Sequence, residues 1–115
     1  MPKAVLEVDD ASFGREVEQS AVPVLVDFTA EWCAPCRALE PTLEALARDL
    51  AGRVKVVRLD VGASQVTSER FGVRAMPTLL LFRGGKVVRQ AVGALPRAHL
   101  ERMIAEGSAP AAVGA

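Results

Sequence analysis

The 115 residues contain no tyrosine, one tryptophan, one histidine and two cysteines, and each shortage excludes something. A four-ligand zinc centre built from Cys and His would have only Cys33, Cys36 and His99 to draw on, one ligand short. The 14 basic residues match the 14 acidic ones, so neither nucleic acid nor an anionic membrane has an electrostatic footprint to meet. No apolar run reaches membrane-spanning length, and Glu7 arrives too early for the apolar core of a signal peptide. The sequence is therefore expected to work in the cytoplasm. No internal repeat or charge run breaks it, and its length suits one domain over 1–107 followed by a flexible tail over 108–115.

Half of the residues are hydrophobic, and their spacing lays out the elements. A short strand is expected over 3–8, then a helix over 11–19 capped by Asp9 or Asp10, with Phe13 and Val17 inward. The apolar run 22–28 has the pattern of a strand buried on both faces, interrupted by one acid, Asp27. Leu39, Leu43, Leu46 and Leu50 recur at spacings of four, three and four, one face of a long helix ending at Gly52. Pro35 suits the start of that helix, whereas Pro41 falls inside it and should kink it.

A strand over 54–61 follows, with an alternation that slips at Val56 and Val57 and leaves its inward face unassigned. Next come a short helix over 64–71, an apolar strand over 77–82, and a two-glycine turn at Gly84-Gly85 into an antiparallel strand over 86–92. Pro96 opens a last helix with Leu100, Met103 and Ile104 inward. Strand and helix alternate early, which predicts an α/β fold with parallel pairs and one antiparallel hairpin.

The two cysteines stand three positions apart in Trp32-Cys33-Ala34-Pro35-Cys36. A loop that small adds little entropic stability as a structural disulfide, so chemistry is the better reason for the pair. The first turn of a helix offers free N–H groups and the positive end of the dipole, both of which favour a thiolate. Cys33 takes that place as attacking sulfur, and Cys36, one helical turn on, can attack a mixed disulfide formed on Cys33. Zinc ligation and two inert core thiols remain as other readings of the spacing. Asp27 is either a buried acid with a raised pKa, fit to exchange a proton, or a carboxylate that lies at an exposed strand end or pairs with a base such as Arg58. The Met76-Pro77 bond would be trans on general frequency, and Trp32, Met76, Val92 and Gly93 are candidates for a small apolar patch.

With Asp27-Phe28, Ala30-Glu31-Trp32-Cys33, Pro35-Cys36, Met76-Pro77-Thr78 and Val92-Gly93-Ala94 in this order, the sequence resembles the thioredoxin family from about Val5 to Gly107. The resemblance implies a central mixed sheet of about five strands flanked by four helices, and a Cys33-Cys36 couple that reduces protein disulfides with no bound cofactor or metal. It implies an NADPH-dependent thioredoxin reductase as electron donor, disulfide-containing proteins as substrates, and a monomer. It makes Asp27 the buried acid serving Cys36, places Trp32, Ala34, Pro35, Met76, Pro77 and Gly93 on the substrate-docking surface, and makes the bond before Pro77 cis. Three positions depart from the family pattern. Ala34 replaces a glycine, Thr29 an aromatic and Arg58 a lysine. Ala34 restricts the backbone between the sulfurs and so bears on the balance of oxidised and reduced forms, which keeps a disulfide oxidase or isomerase as the alternative. A binding module that presents the apolar rim without turnover is the other.

Overall fold

The computed structural model describes residues 3–108. Five strands, β1 (Leu6–Val8), β2 (Val24–Thr29), β3 (Lys55–Asp60), β4 (Thr78–Arg83) and β5 (Lys86–Val92), form one sheet in the order β1-β3-β2-β4-β5. β3 runs parallel to both β1 and β2, while β2 with β4 and β4 with β5 are antiparallel. The α-helices are α1 (Ala34–Asp49), α2 (Gln65–Arg70) and α3 (Arg97–Ser108). The fourth helical element is a single π turn, Gly14–Glu18. This is the mixed α/β sheet with four helices expected from the sequence.

The boundaries shift where local pattern was weak. The first strand spans three residues rather than six, and the helix expected over 11–19 is only the π turn, although Phe13 and Val17 are buried as foreseen. Asp9 caps the approach to that turn, its carboxylate accepting the Ser12 N–H at 2.9 Å. Asp10 belongs elsewhere: its carboxylate accepts the N–H groups of Val66 (3.3 Å) and Thr67 (2.8 Å), capping α2 from across the molecule. Ser64, which precedes α2, makes no side-chain cap of its own. Ser108, assigned to the tail by sequence, closes α3, and residues 109–115 lie outside the described region. Helix α1 continues through Pro41 without ending.

Alternation along the strands splits the core in two. Leu25, Val56, Leu79 and Leu81 face α1 and α3, where they pack with Leu39, Leu43, Leu46, Leu100, Met103 and Ile104. Val24, Val26, Phe28, Val57, Leu59, Leu80 and Phe82 face the other way, against Phe13, Val17 and Phe71. Because β3 is covered on both sides, Val56 and Val57 are both fully buried, and this is why its alternation did not reveal a face. Gly84 and Gly85 take φ of 60° and 82°, the left-handed conformation that a two-residue hairpin turn requires at both centres.

Candidate active site

The end of β2 delivers the chain directly to the cysteines. Cys33 is the N-cap of α1, in extended conformation (φ −126°, ψ 103°), and its sulfur accepts the N–H of Cys36 at 3.2 Å. The sulfur thus takes the place of the usual capping oxygen, satisfying one of the four N–H groups that a helix start leaves without partners. Pro35 sits within the first turn, where its missing N–H costs nothing. Cys33 and Cys36 are joined as a disulfide with Cα atoms 5.2 Å apart. The two sulfurs differ in access: Cys33 is half-buried, and Cys36 is only 1% exposed. Among the described residues no group of three or more His, Cys, Asp or Glu could hold a metal ion, and His99 is exposed on α3.

The segment before β4 comes up against the same end of α1. The Met76-Pro77 peptide is cis, and the Met76 carbonyl oxygen lies 3.6 Å from the Cys33 sulfur, placed to accept its S–H in the reduced form. The Pro77 carbonyl in turn accepts the Gly93 N–H at 2.9 Å, which ties the end of β5 to this segment. Gly93 has φ 101°, a conformation L side chains rarely adopt. Trp32, 88% exposed, is the most exposed of the large apolar side chains among the described residues, and Val92 is exposed beside Gly93. Ala34 and Pro35 are exposed as well, Met76 and Gly93 are half-buried, and Pro77 is buried.

Asp27 lies under the helix. It shares the α1 face of β2 with Leu25, and α1 turns Cys36, Leu39 and Leu43 toward that face. Its side chain is 0% exposed, and neither carboxylate oxygen has a hydrogen-bond partner among the described residues. Burial pushes its pKa from 3.8 up to about 7; the Arg58 guanidinium pulls the other way, and Glu40 on α1 adds to the rise. Asp27 is therefore buried and also has Arg58 beside it, 3.9 Å from Nε to Oδ2. That separation is an ion pair without a hydrogen bond.

Sequence reasoning missed Glu7, Glu40 and Ser64. Glu40 follows Cys36 by four positions, a helical spacing that could have revealed it. Glu7 gave no such signal, because its place opposite Arg58 depends on the pairing of β1 with β3. A groove of about 300 Å³ opens beside Arg58 at the ends of the parallel strands, lined among others by Glu7, Thr29, Asp60 and Ser64.

With this geometry in place, comparison with known proteins is decisive. The sequence profile of the family Thioredoxin matches residues 4–106. The chain belongs to the thioredoxin family. It is 47% identical to the thioredoxin of Haemophilus influenzae over 100 residues, 87% of this chain and 94% of that protein. It is 43% identical to thioredoxin C-2 of Corynebacterium nephridii over 104 residues, covering 90% and 96% of the two chains. Chloroplastic thioredoxin M4 of Arabidopsis thaliana is 40% identical over 87% of this chain and 52% of its own length. As a thioredoxin-family protein with an intact dithiol pair, the chain is a protein-disulfide oxidoreductase working through Cys33 and Cys36.

Proposed function

We propose that the chain acts as a reductant, with Cys33 as nucleophile, Cys36 as resolving thiol and Asp27 as the group that takes and returns the Cys36 proton. The observation that carries this assignment is the Cys33 sulfur at the N-cap of α1, where the Cys36 N–H and the helix dipole favour its charged form. In the first step the Cys33 thiolate attacks one sulfur of a substrate disulfide. The S–S bond breaks, and the departing thiolate takes a proton from solvent. Asp27 then accepts the Cys36 proton, and the Cys36 thiolate attacks the Cys33 sulfur; the bond from Cys33 to the substrate breaks, and the leaving substrate thiolate takes a proton from solvent, to which Asp27 returns its own. Two electrons pass to the substrate and the Cys33-Cys36 disulfide remains. An NADPH-dependent thioredoxin reductase restores the dithiol.

The accessible sulfur attacks and the covered one resolves, which agrees with the burial of Cys36 under the apolar rim. That rim, formed by Trp32, Ala34, Pro35, Met76, the cis Pro77 and Gly93, is the docking surface for disulfide-containing protein substrates. We further infer a single domain over 1–107 that acts as a monomer in the cytoplasm. Among the described residues no helix is long and apolar enough to cross a membrane. Reduction of insulin disulfides, coupled to NADPH and a thioredoxin reductase, tests the assignment. Wild type should turn over and Cys33→Ser should lose turnover entirely, whereas equal inactivity of the two proteins would overturn it. A reduction potential well above the cytosolic poise would instead establish the oxidase or isomerase reading.

A further inference from the structure

Three charged residues lie in one register row across the sheet. Glu7 of β1 stands opposite Arg58 of β3, and Arg58 stands opposite Asp27 of β2. The guanidinium spans the gap between the two acids. Its Nε is 3.9 Å from Asp27 Oδ2, and its Nη1 is 3.9 Å from Glu7 Oε1. Arg58 is nearly buried, with its side chain 10% exposed, while the Glu7 side chain is 76% exposed. The tip of the arginine therefore reaches away from the buried acid toward one at the surface. Among the described residues its Nε has no hydrogen-bond partner, and neither does either oxygen of Asp27.

That arrangement falls short of what the same groups could make. An arginine beside a carboxylate favours a bidentate fork with two hydrogen bonds, roughly twice as strong as neutral ones. Here the guanidinium stands 3.9 Å from each acid and hydrogen-bonds to neither. The groove beside Arg58, lined by Glu7 and Thr29 among others, gives the guanidinium room to move on its Glu7 side. We propose that Glu7 is a positioning residue for the exchange reaction: by holding the tip of Arg58 it sets how firmly the guanidinium stabilises charge on Asp27. The proposal deepens the proton-transfer reading of Asp27 and rests on it for its link to catalysis.

Other charges act on the same pair and must be held constant. Glu40 faces Asp27 from α1. Glu44, also on α1, reaches Arg58 with its charge while its carboxylate accepts the N–H groups of Ala4 (2.7 Å) and Val5 (3.2 Å). From β4 the neighbour of Asp27 is Leu79, which carries no charge. Glu7 is the member of the group most open to water, so Glu7→Gln removes a charge without opening the core.

The test is a carbon-13 titration of the Asp27 carboxyl in the disulfide form, where no cysteine titrates. In Glu7→Gln the freed guanidinium turns to Asp27, and the midpoint falls by roughly one pH unit, the lower end of what an adjacent arginine produces. In an Arg58→Met background the same Glu7 change should move it by less than a third as much. A midpoint that does not respond to Glu7→Gln, or that moves equally with and without Arg58, overturns the proposal. Should Arg58→Met fail to fold, Arg58→Gln serves as the background with the same two outcomes. The pH profile of mixed-disulfide resolution separates the two levels. If the midpoint shifts and the profile stays, Glu7 holds Asp27 as proposed and Asp27 is not the base for Cys36.

Discussion

The two faces of the sheet have different chemistry. All four phenylalanines gather on one face, where Phe82 meets Phe13 edge-on with ring centres 5.5 Å apart and Phe71 at 5.2 Å. The other face has an aliphatic core without a single ring, and it is this face that holds Asp27, Arg58 and the buried Cys36. Rings pack densely and carry no charge to answer, so the first face supplies rigidity. Aliphatic packing around an unsatisfied acid keeps the second face dry and its carboxyl poised near neutrality. One face packs rings against the sheet, and the other buries a carboxyl beneath the helix that begins at the cysteines.

The sharpest way to break this division is to damage the ring face and look for an effect on exchange. Phe82→Ala should cost about 3–5 kcal/mol in denaturant unfolding, as expected for a large side chain removed from a closed core. The rate of exchange per folded molecule should not change. A large fall in that rate would show that the faces are not separable.

Asp27→Asn acts on the opposite face and with the opposite sign. The folded carboxyl keeps its proton up to about pH 7, whereas the unfolded chain gives it up near 3.8, so the native state binds more protons between these values. Stability contributed at this site therefore falls as pH rises, the cost being absent below the lower value and complete above the higher. That interval, at 1.36 kcal/mol per pH unit, corresponds to on the order of 4 kcal/mol. Asp27→Asn should gain most of it at pH 8, resolve mixed disulfides more slowly, and lose the pH dependence of stability between about 4 and 7. Unfolding curves at pH 5 and pH 8 check this, and equal stabilities of the wild type at both would exclude a raised carboxyl.

A smaller effect tests how tightly the aliphatic face is closed. A Cβ on Gly107 of α3 would run into Leu81 Cδ2, with Arg89 and Val88 close behind. Gly107→Ala should destabilise by about 1–3 kcal/mol through overpacking. An unchanged melting temperature would mean that α3 slides freely on the sheet.

Smallest is the change at the position between the cysteines. Ala34 is exposed at the first turn of α1, so Ala34→Gly removes no buried contact and should cost about 0.5–1 kcal/mol through backbone freedom alone. A larger loss in the disulfide form, measured by thermal melting, would show that the methyl group supports the oxidised site.

The sheet, the α1 face and the cysteine pair were all legible because each rests on short-range pattern. Leu39, Leu43 and Leu46 repeat with the helical period, and β2 and β4 are apolar runs, β2 broken only by Asp27 within it. The glycine pair of the hairpin fixes its own turn. Asp27 also stood out locally, as one acid in an apolar strand. Its setting did not, because the pairing of Asp27 with Arg58, and of Arg58 with Glu7, follows from the register of three strands separated by long crossovers.

The same limit governs Asp10. Sequence placed it at the start of the next helix, but its carboxylate caps α2, 57 residues away from Thr67. Local order in the sequence determined which segments become strands and helices and that a dithiol begins a helix, since hydrogen bonding and side-chain period act over a few residues. The tertiary structure alone decided which charges meet beneath that helix and the gathering of every phenylalanine on the face away from Asp27 and the cysteines. Those contacts depend on distances that only chain closure creates.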